Sequence, residues 1–549
     1  MVSTRGAEGI GLLSGRGAVT SVVAVAACLH GAGALTACTS YSDDCWEKLA
    51  CPPDPEPPPD PCEGDPATVP ALDQCGVFVS EHGDDRNPGT KGAPVKTLQH
   101  AVGLAAHGRG QRESPTRRVY ACGGTFKETV TLPSGVDLWG GRLCDVGDLS
   151  YEWSVVGPNQ LTTIAPPTGI PLRVISGEEA ATSTIIGVRL MAADASAMDH
   201  KSSIAMILSQ GAKANVVSSE VVAGNGKDGE AGEDAPRERA TDGVVGNDGA
   251  NACTADSAVG ALPVVTVCDD GSESTGGYGG DGGLDVGGDG TPGQPEPAEN
   301  PRGFGVAGTG ASSAPCSDGG NGTDGASGGR ADGALGFGYL TFDGWIGVRG
   351  EDGKKGGVGQ GGGGGGGSKS RGRMYACPTS RPQRGAAGGS GGSGGCGGKG
   401  GGGGGYGGAS IAIVALEDSE LSLEATKIIA GNGGDGGVGG TGQLGGVGQW
   451  GGQGGLGFGL TGMWDACDSG RGGNGGLGGD AGGGLGGAAV GIAYVVPNMA
   501  FRPGTTIEVG KAGEGGYAGN AGIGDEVGRG ARGPWGQFFR FGAANEPPR

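Results

Sequence analysis

The chain is short of aromatic residues and of basic charge, and each shortage argues against a class of protein. Only 5% of the 549 residues are aromatic, so a single large globular core is not expected. Lysine and arginine number 38 against 59 aspartates and glutamates, which gives a formal net charge of −21. A protein without a basic face gains little from counterion release, so nucleic acid is not expected as a partner. The acidic balance suits a surface in contact with water, salts or divalent cations, and simple solubility is the plainer interpretation.

Two motif classes are also missing. No CxxC pair and no histidine cluster is present to form a zinc site. No phosphate-binding P-loop occurs, and matches to GxGxxG carry no weight in a chain with 134 glycines. The motifs therefore predict no cofactor, and calcium is the one ion considered further.

The apolar stretch near the N-terminus is too short to cross a bilayer. Residues 17–29 read GAVTSVVAVAACL, whereas a membrane-spanning helix needs about 20 residues. Leu35-Thr36-Ala37-Cys38 follows it and resembles the bacterial lipobox, which implies lipidation of Cys38 and anchoring at a membrane. Thr39 and Ser40 follow without an aspartate, which by the same resemblance implies the outer membrane. An ordinary secretory signal with a coincidental cysteine is the alternative.

Disulfides are the expected state of the remaining cysteines. Their number is even and the signal predicts export, where disulfides form and persist. Pairing cannot be derived from the sequence. The twelve candidates are Cys45, Cys51, Cys62, Cys75, Cys122, Cys144, Cys253, Cys268, Cys316, Cys377, Cys396 and Cys467.

A repeated unit predicts a stacked architecture. Residues 203–229 and 410–436 align without a gap, share SIA at the front and AGNG-x-DG at the back, and each run into a glycine-rich tract. A looser copy begins at Gly491. Spaced copies of one short-strand unit are typical of a solenoid. We expect the two close copies to occupy equivalent coils, with Ile204, Ile411, Val222 and Ile429 buried.

The start of the folded part resembles a known family. FVSEHGDDRNPGTKGAPVKTLQHAV, followed by VYACGGTFKETVTL and GVDLWGG, is similar to the opening of bacterial right-handed parallel β-helix proteins of the pectate-lyase-like class. The resemblance implies a strand at 76–80 and a short capping helix in 95–106. Helical spacing places Leu98, Ala101, Val102 and Ala105 on one face of that helix.

Short runs rich in β-branched residues, separated by turn residues, agree with this fold. A globular β-sandwich is the alternative, because its turn spacing overlaps. The runs are Val119–Ala121, Thr129–Leu132, Val136–Trp139, Leu172–Ile175, Thr184–Leu190, Ile204–Leu208 and Ala214–Val222. Gly-Asn and Gly-Asp pairs are interpreted as tight corners of the coils.

Glycine recurs at every third position from Gly433 to Gly457, and the next position is mostly glycine too. Collagen needs abundant proline, and this stretch has none. Two interpretations remain: a disordered linker, or threefold extended helices of the polyglycine II type packed side by side. Ordering one such tract alone costs about 25–50 kcal/mol of backbone entropy, so we expect order only where several tracts bond to one another.

Two polar loops are candidate sites. Asp194, Asp199, His200 and Lys201 share one loop between predicted strands, where β-helix enzymes place catalytic groups, although a solvated turn is the plainer interpretation. Asp84, Asp85 and Asn87 supply oxygen ligands at a density that could hold calcium, and a turn built of turn-forming residues is the alternative.

The predicted fold class is all-β: a right-handed parallel β-helix with a short N-terminal capping helix and glycine-rich, polyglycine-II-like insertions. The function expected is that of a lipid-anchored surface protein, structural or adhesive, facing polysaccharide or envelope components. A polysaccharide lyase or glycoside hydrolase on the same scaffold is the alternative.

The predicted regions are a signal peptide (1–37), a Cys/Pro-rich tether (38–75), the β-helix (76–222), a glycine-rich insertion (223–337), a strand segment (338–352), a glycine-rich tract (353–408), a further coil (409–430), the triplet tract (431–487) and terminal strands with a glycine-rich tail (488–549).

Overall fold

The fold was analysed in a computed structural model. The residues it describes are 60–108, 116–144, 153–155, 160–177, 181–196, 201–254, 258–370, 377–457 and 463–543. The predicted signal, the lipidation site Cys38 and the first part of the tether, with Cys45 and Cys51, lie outside these residues.

Strands of three parallel sheets follow one another in a fixed order, so the chain winds as a β-helix solenoid, and the predicted fold class is confirmed. The first sheet contains β1 (Val77–Val79), β2 (Arg118–Cys122), β5 (Asp137–Arg142), β8 (Ser183–Ile186), β11 (Lys213–Val217), β18 (Glu420–Glu424) and β21 (Asn498–Phe501). The second contains β3 (Gly124–Phe126), β6 (Thr162–Ile164), β9 (Val188–Met191), β12 (Glu220–Val222), β19 (Lys427–Ala430) and β22 (Thr506–Val509). The third contains β4 (Val130–Pro133), β7 (Leu172–Ile175), β10 (Ser203–Leu208), β17 (Ser410–Ala415), β20 (Ala489–Tyr494) and β23 (Trp535–Arg540).

The two close sequence copies lie in adjacent coils, as expected. Ser203 pairs with Ser410 and Glu220 with Lys427, so the copies stack residue on residue. The looser copy forms the next coil, where its strand β20 pairs with β17.

Of the four residues expected to be buried in the two copies, two are buried and two are not. Ile204 and Ile411 are buried. Val222 and Ile429 are only half-buried, and the neighbouring Val221 and Ile428 fill the core instead. Simple alternation fails because a corner residue with positive φ, Ser218 in one copy and Ala425 in the other, separates the second and third strands of each copy and resets the inward face.

The first coil is covered by the predicted helix, α1 (Leu98–Ala106), whose buried residues are the four that its spacing predicts. The chain before β1 also packs there. Residues 60–75, assigned to the tether by composition, bury Cys62, Val69 and Cys75 against an aromatic cluster that includes Phe78 and Trp153. This end of the tether is therefore part of the fold.

Each of the last three coils carries an insertion at the same corner, between its second-sheet and third-sheet strands. The insertions are 223–409, 431–488 and 510–534. The longest contains two small hairpins: β13 (Val265–Val267) with β14 (Glu273–Thr275), and β15 (Tyr339–Thr341) with β16 (Gly344–Ile346). β24 (Gly542–Ala543) pairs with β15.

The glycine tracts of these insertions form one bundle. We call 224–252, 431–457 and 510–519 the outgoing segments, because they leave the β-helix, and 385–409, 465–488 and 529–534 the returning segments. The second outgoing segment runs parallel to the first and third and antiparallel to the first two returning segments. The outgoing segments thus continue the coil-on-coil stacking of the β-helix.

Candidate interaction surface

The predicted loop between β9 and β10 is a structural connection to the bundle. Asp194 Oδ1 accepts a hydrogen bond from the backbone N–H of Asn225 at 2.7 Å. Lys201 Nζ lies 2.7 Å from Glu230 Oε2 and 5.4 Å from the ring centroid of Tyr406. Asp199 and His200 lie outside the described residues. The two described members of the proposed catalytic group therefore both hold glycine segments.

The acidic loop at residues 84–87 organises the capping helix. Asp85 Oδ1 accepts the backbone N–H groups of Lys96 (2.8 Å) and Thr97 (2.9 Å), just before α1. Burial acts to raise the pKa of Asp85, but these two hydrogen bonds, together with one from the Thr97 hydroxyl and the charge of His100, outweigh it and the pKa is lowered. Asp84 Oδ1 accepts the N–H of Arg86, and Asn87 Nδ2 donates to a backbone carbonyl. Among the residues described, no group of three or more His, Cys, Asp or Glu side chains is placed to hold a metal ion.

A cleft of about 280 Å³ lies beside the third sheet, where β15–β16 covers β4, β7 and β10. Arg173 and Asp343 line it, together with Ser202, Thr131 and the edge of the otherwise buried Trp345. Arg173 also donates to the carbonyl of Phe342, which holds the hairpin on the sheet. Asp343 is the one carboxylate lining the described cleft, whereas glycoside hydrolysis requires a pair.

The order of the triplet tract comes from its backbone. Gly433, Gly436 and Gly439 donate to carbonyls of the third outgoing segment at 2.8–2.9 Å, and the glycines that follow them donate to the first returning segment at 2.7–2.9 Å. Bonding to one neighbour at every third residue is what threefold extended chains packed side by side require. The polyglycine-II-like interpretation is therefore the one the structure shows.

We call the residues at the third position of each triplet the outer row. Aspartate and asparagine side chains of the first outgoing segment accept hydrogen bonds from the backbone N–H groups of this row. Asp234 Oδ1 accepts the N–H of Thr441 at 2.8 Å, while the N–H of Ala235 donates to the Thr441 carbonyl at 2.9 Å. We call this pair of bonds an Asx clasp. Along the outer row, clasps hold Asn432, Asp435, Thr441, Val447, Gln453 and Leu456 through Asn225, Asp228, Asp234, Asp242, Asp248 and Asn251 respectively.

The same device recurs elsewhere in the bundle. Asp318, Asn321 and Asp324 accept backbone N–H groups of the second returning segment at 2.7–3.0 Å. The backbone N–H lowers the pKa of Asp234, with the Thr441 hydroxyl adding to the effect, because both favour the ionised carboxylate. Part of the negative charge of the chain is thus used to satisfy backbone donors at the rim of the bundle.

The clasps correct the interpretation of the paired glycine and Asn or Asp residues. By composition such pairs predict tight corners, where positive φ is needed. None of the clasp residues in the described chain has positive φ, so they lie in extended segments. The sequence signal that distinguishes a clasp from a corner is an Asx residue followed by Gly or Ala, recurring at three or six residues except for the step from Asp234 to Asp242.

The outer row presents apolar side chains to solvent. Val438, Leu444, Trp450 and Leu456 recur at every second triplet and are all exposed, with Trp450 67% exposed. At about 3.1 Å per residue they extend over about 56 Å. Arg471 lies 4.9 Å from the Trp450 ring and donates to the Gly448 carbonyl at 3.1 Å, so the indole is supported from the bundle. Neighbouring members lie about 19 Å apart, so they are separate exposed contact points on a fixed backbone rather than one contiguous patch.

All ten cysteines in the described chain form disulfides: Cys62–Cys75, Cys122–Cys144, Cys253–Cys377, Cys268–Cys396 and Cys316–Cys467. The last three tie the long insertion together and to the second returning segment. Five disulfides indicate an exported protein.

No helix among the described residues is long and apolar enough to cross a membrane.

Comparisons with known proteins identify no relative: no family profile, no curated protein and no solved structure matches this chain.

Proposed function

We propose that the protein is a surface-exposed structural or adhesive protein that binds polysaccharide or another envelope component through the outer row. The observation that carries this proposal is the exposed apolar line from Val438 to Leu456, held on a bundle whose backbone is fixed by hydrogen bonds. A preorganised surface loses little conformational entropy on binding. A long, shallow line of contacts suits an extended polymer better than a small ligand, which needs a concave pocket.

The test is binding of the purified protein to a panel of insoluble envelope polysaccharides. Trp450→Ala should weaken binding about tenfold, because an anchoring aromatic side chain contributes roughly 1–2 kcal/mol or more to an interface. Tyr278→Ala is the control, since Tyr278 is also an exposed aromatic residue but lies outside the outer row. Equal binding by both variants and the parent would contradict the proposal.

Membrane anchoring through Cys38 is part of the same proposal, and the sequence motif at 35–38 supports it. Cys38→Ala should abolish acyl labelling and leave an unprocessed or soluble form. Acyl labelling that persists in Cys38→Ala, or a parent protein that is never acylated, would contradict this part of the proposal. Location in the outer membrane is tested by fractionating the labelled parent.

Membership in the pectate-lyase-like class, and with it a carbohydrate-active enzyme, is the second candidate function. The cleft beside the third sheet favours it, because Arg173 and Asp343 face one space there. Cleavage of any polysaccharide by the parent, with or without calcium, that is lost in Asp343→Asn would establish this function. Binding without cleavage would favour the adhesive one.

A further inference from the structure

The two ends of the β-helix differ. At the N-terminal end, α1 lies across the first coil, and its side chains Leu98, Ala101, Val102 and Ala105 are buried. Solenoids need such caps because each coil otherwise exposes the apolar interior that the next coil would cover.

The C-terminal end has no such cover among the described residues. β21, β22 and β23 are the last strands of their sheets, and each is bonded on one side only. Phe538 stacks beyond Ile492 and Phe501 beyond Leu423. Ile492 and Leu423 are fully buried, whereas Phe538 and Phe501 are 42% and 46% exposed.

The outer edges of three strands surround this apolar centre, and such edges can accept further strands. One carbonyl on the β22 edge, that of Ile507, already accepts a hydrogen bond from Gln537 Nε2 at 3.1 Å. Within the chain, this same edge-to-edge contact is what joins every coil to the next. Trp535 at this end is 62% exposed, and its Nε1 donates to the Gly510 carbonyl at 2.7 Å, which fixes the indole across the last coil.

Charge limits where a second copy can approach, and the edge-to-edge stacking of the coils makes this end the place. Two copies with a net charge of −21 repel each other over most of their surface. The three edge strands, however, carry only one acid, Glu508, and one base, Arg540. The helix cap blocks head-to-tail stacking, which leaves a twofold arrangement of C-terminal end against C-terminal end. Such a twofold contact is self-complementary and closed.

We propose that the protein forms a twofold dimer through the open C-terminal end of its β-helix, with β23 of one copy running antiparallel to β23 of the other. This inference does not depend on the proposed function, because the outer row lies on the bundle and not at this end.

The test is the molar mass of the full chain by light scattering. The parent should have twice the chain mass, and Trp535→Lys combined with Gln537→Lys should halve it, because lysine on an edge strand opposes strand addition. Trp450→Lys, at an equally exposed tryptophan, should leave the mass unchanged. Circular dichroism and thermal unfolding check that each variant is folded.

A second variant ties the dimer to this end. Gln537→Cys should give a disulfide-linked dimer under oxidising conditions, since the residue lies near the middle of β23. A parent that is monomeric at every concentration, a lysine variant that stays dimeric, or a Gln537→Cys dimer that does not cross-link would overturn the proposal. A monomeric chain whose end is occupied by a different protein in extracts would overturn it too.

Discussion

The β-helix and the glycine bundle are built by one chain on opposite principles. In the β-helix, inward side chains such as Leu138, Ile185 and Val216 fill the interior, and the backbone bonds follow from the stacking. In the bundle, the glycines leave no room for side chains, and each segment is fixed by backbone bonds to several neighbours. The comparison shows that order can come from nearly complete satisfaction of backbone donors rather than from apolar burial.

The two regions share one topology. Every insertion leaves after the second sheet and returns before the third, so the outgoing and returning segments inherit the parallel stacking of the coils. Asp194, Asn225 and Asn432 each accept an N–H from the next layer, which carries the register from the β-helix corner into the bundle. The β-helix therefore acts as the template on which the bundle is ordered.

The largest effect is expected from a charge in the β-helix. Ile413→Asp would bury an unpaired carboxylate in the β-helix interior, between Met206 of β10 and Ile492 of β20, and should lower the free energy of unfolding by about 4 kcal/mol. Val438→Asp, on the outer row of the bundle, should change it by less than about 0.5 kcal/mol. Chemical denaturation of both variants gives the comparison. Similar losses at the two positions would show that the bundle has an apolar core after all.

A side chain on a triplet glycine should destabilise the bundle. At Gly442 a Cβ would lie 2.1 Å from the carbonyl oxygen of Gly478, so the two segments must separate. Gly442→Val and Gly448→Val should cost about 1–3 kcal/mol or more. Thr441→Val is the matched control and should cost less, since this side chain lies on the outer row and loses only the exposed hydrogen bond of its hydroxyl to Asp234 (3.0 Å). Wild-type stability of Gly442→Val would mean that segments 431–457 and 465–488 are not in contact.

A disulfide in the glycine bundle should contribute more to the free energy of unfolding than one in the β-helix, because the bundle buries fewer apolar side chains. Cys268 and Cys396 are 128 residues apart and join the β13–β14 hairpin to the first returning segment. Replacing both with serine should lower stability by about 2–4 kcal/mol, because the bond restricts a long loop in the unfolded chain. Cys62–Cys75 closes only 13 residues and should contribute less. Thermal unfolding of the two double variants decides this order.

The smallest effect concerns pH. The pKa of Asp234 is lowered in the folded state, so its clasp contributes stability above the unfolded pKa of about 3.9, and that contribution is lost as the pH falls through the folded pKa. Asp234→Ala should remove this contribution, at most about 1 kcal/mol at neutral pH. Asp234→Asn keeps an oxygen acceptor, so it should retain most of the stability without the acid dependence. Unfolding at pH 7 and near pH 3 distinguishes the variants.

Local patterns predicted much of the fold. The four buried residues of α1 and the stacking of the two close copies follow from periodicity and repetition. The inward positions Val221 and Ile428 were missed because corner residues with positive φ shift the alternation by one. Three of the five disulfides join residues more than a hundred positions apart, and the clasps depend on which segment lies beside which. Neither is present in a local pattern.

Hydrogen exchange of the amides in 433–457 measures whether backbone hydrogen bonds order the bundle. We expect protection of both glycines of each triplet in 433–440, together with the clasped N–H groups of Asp435, Thr441 and Val447. Protection there should be comparable with that of β17 and β20. Exchange at random-coil rates across the whole tract, while the β-helix strands remain protected, would mean that the glycine segments are a flexible linker and that the backbone-ordered bundle does not exist.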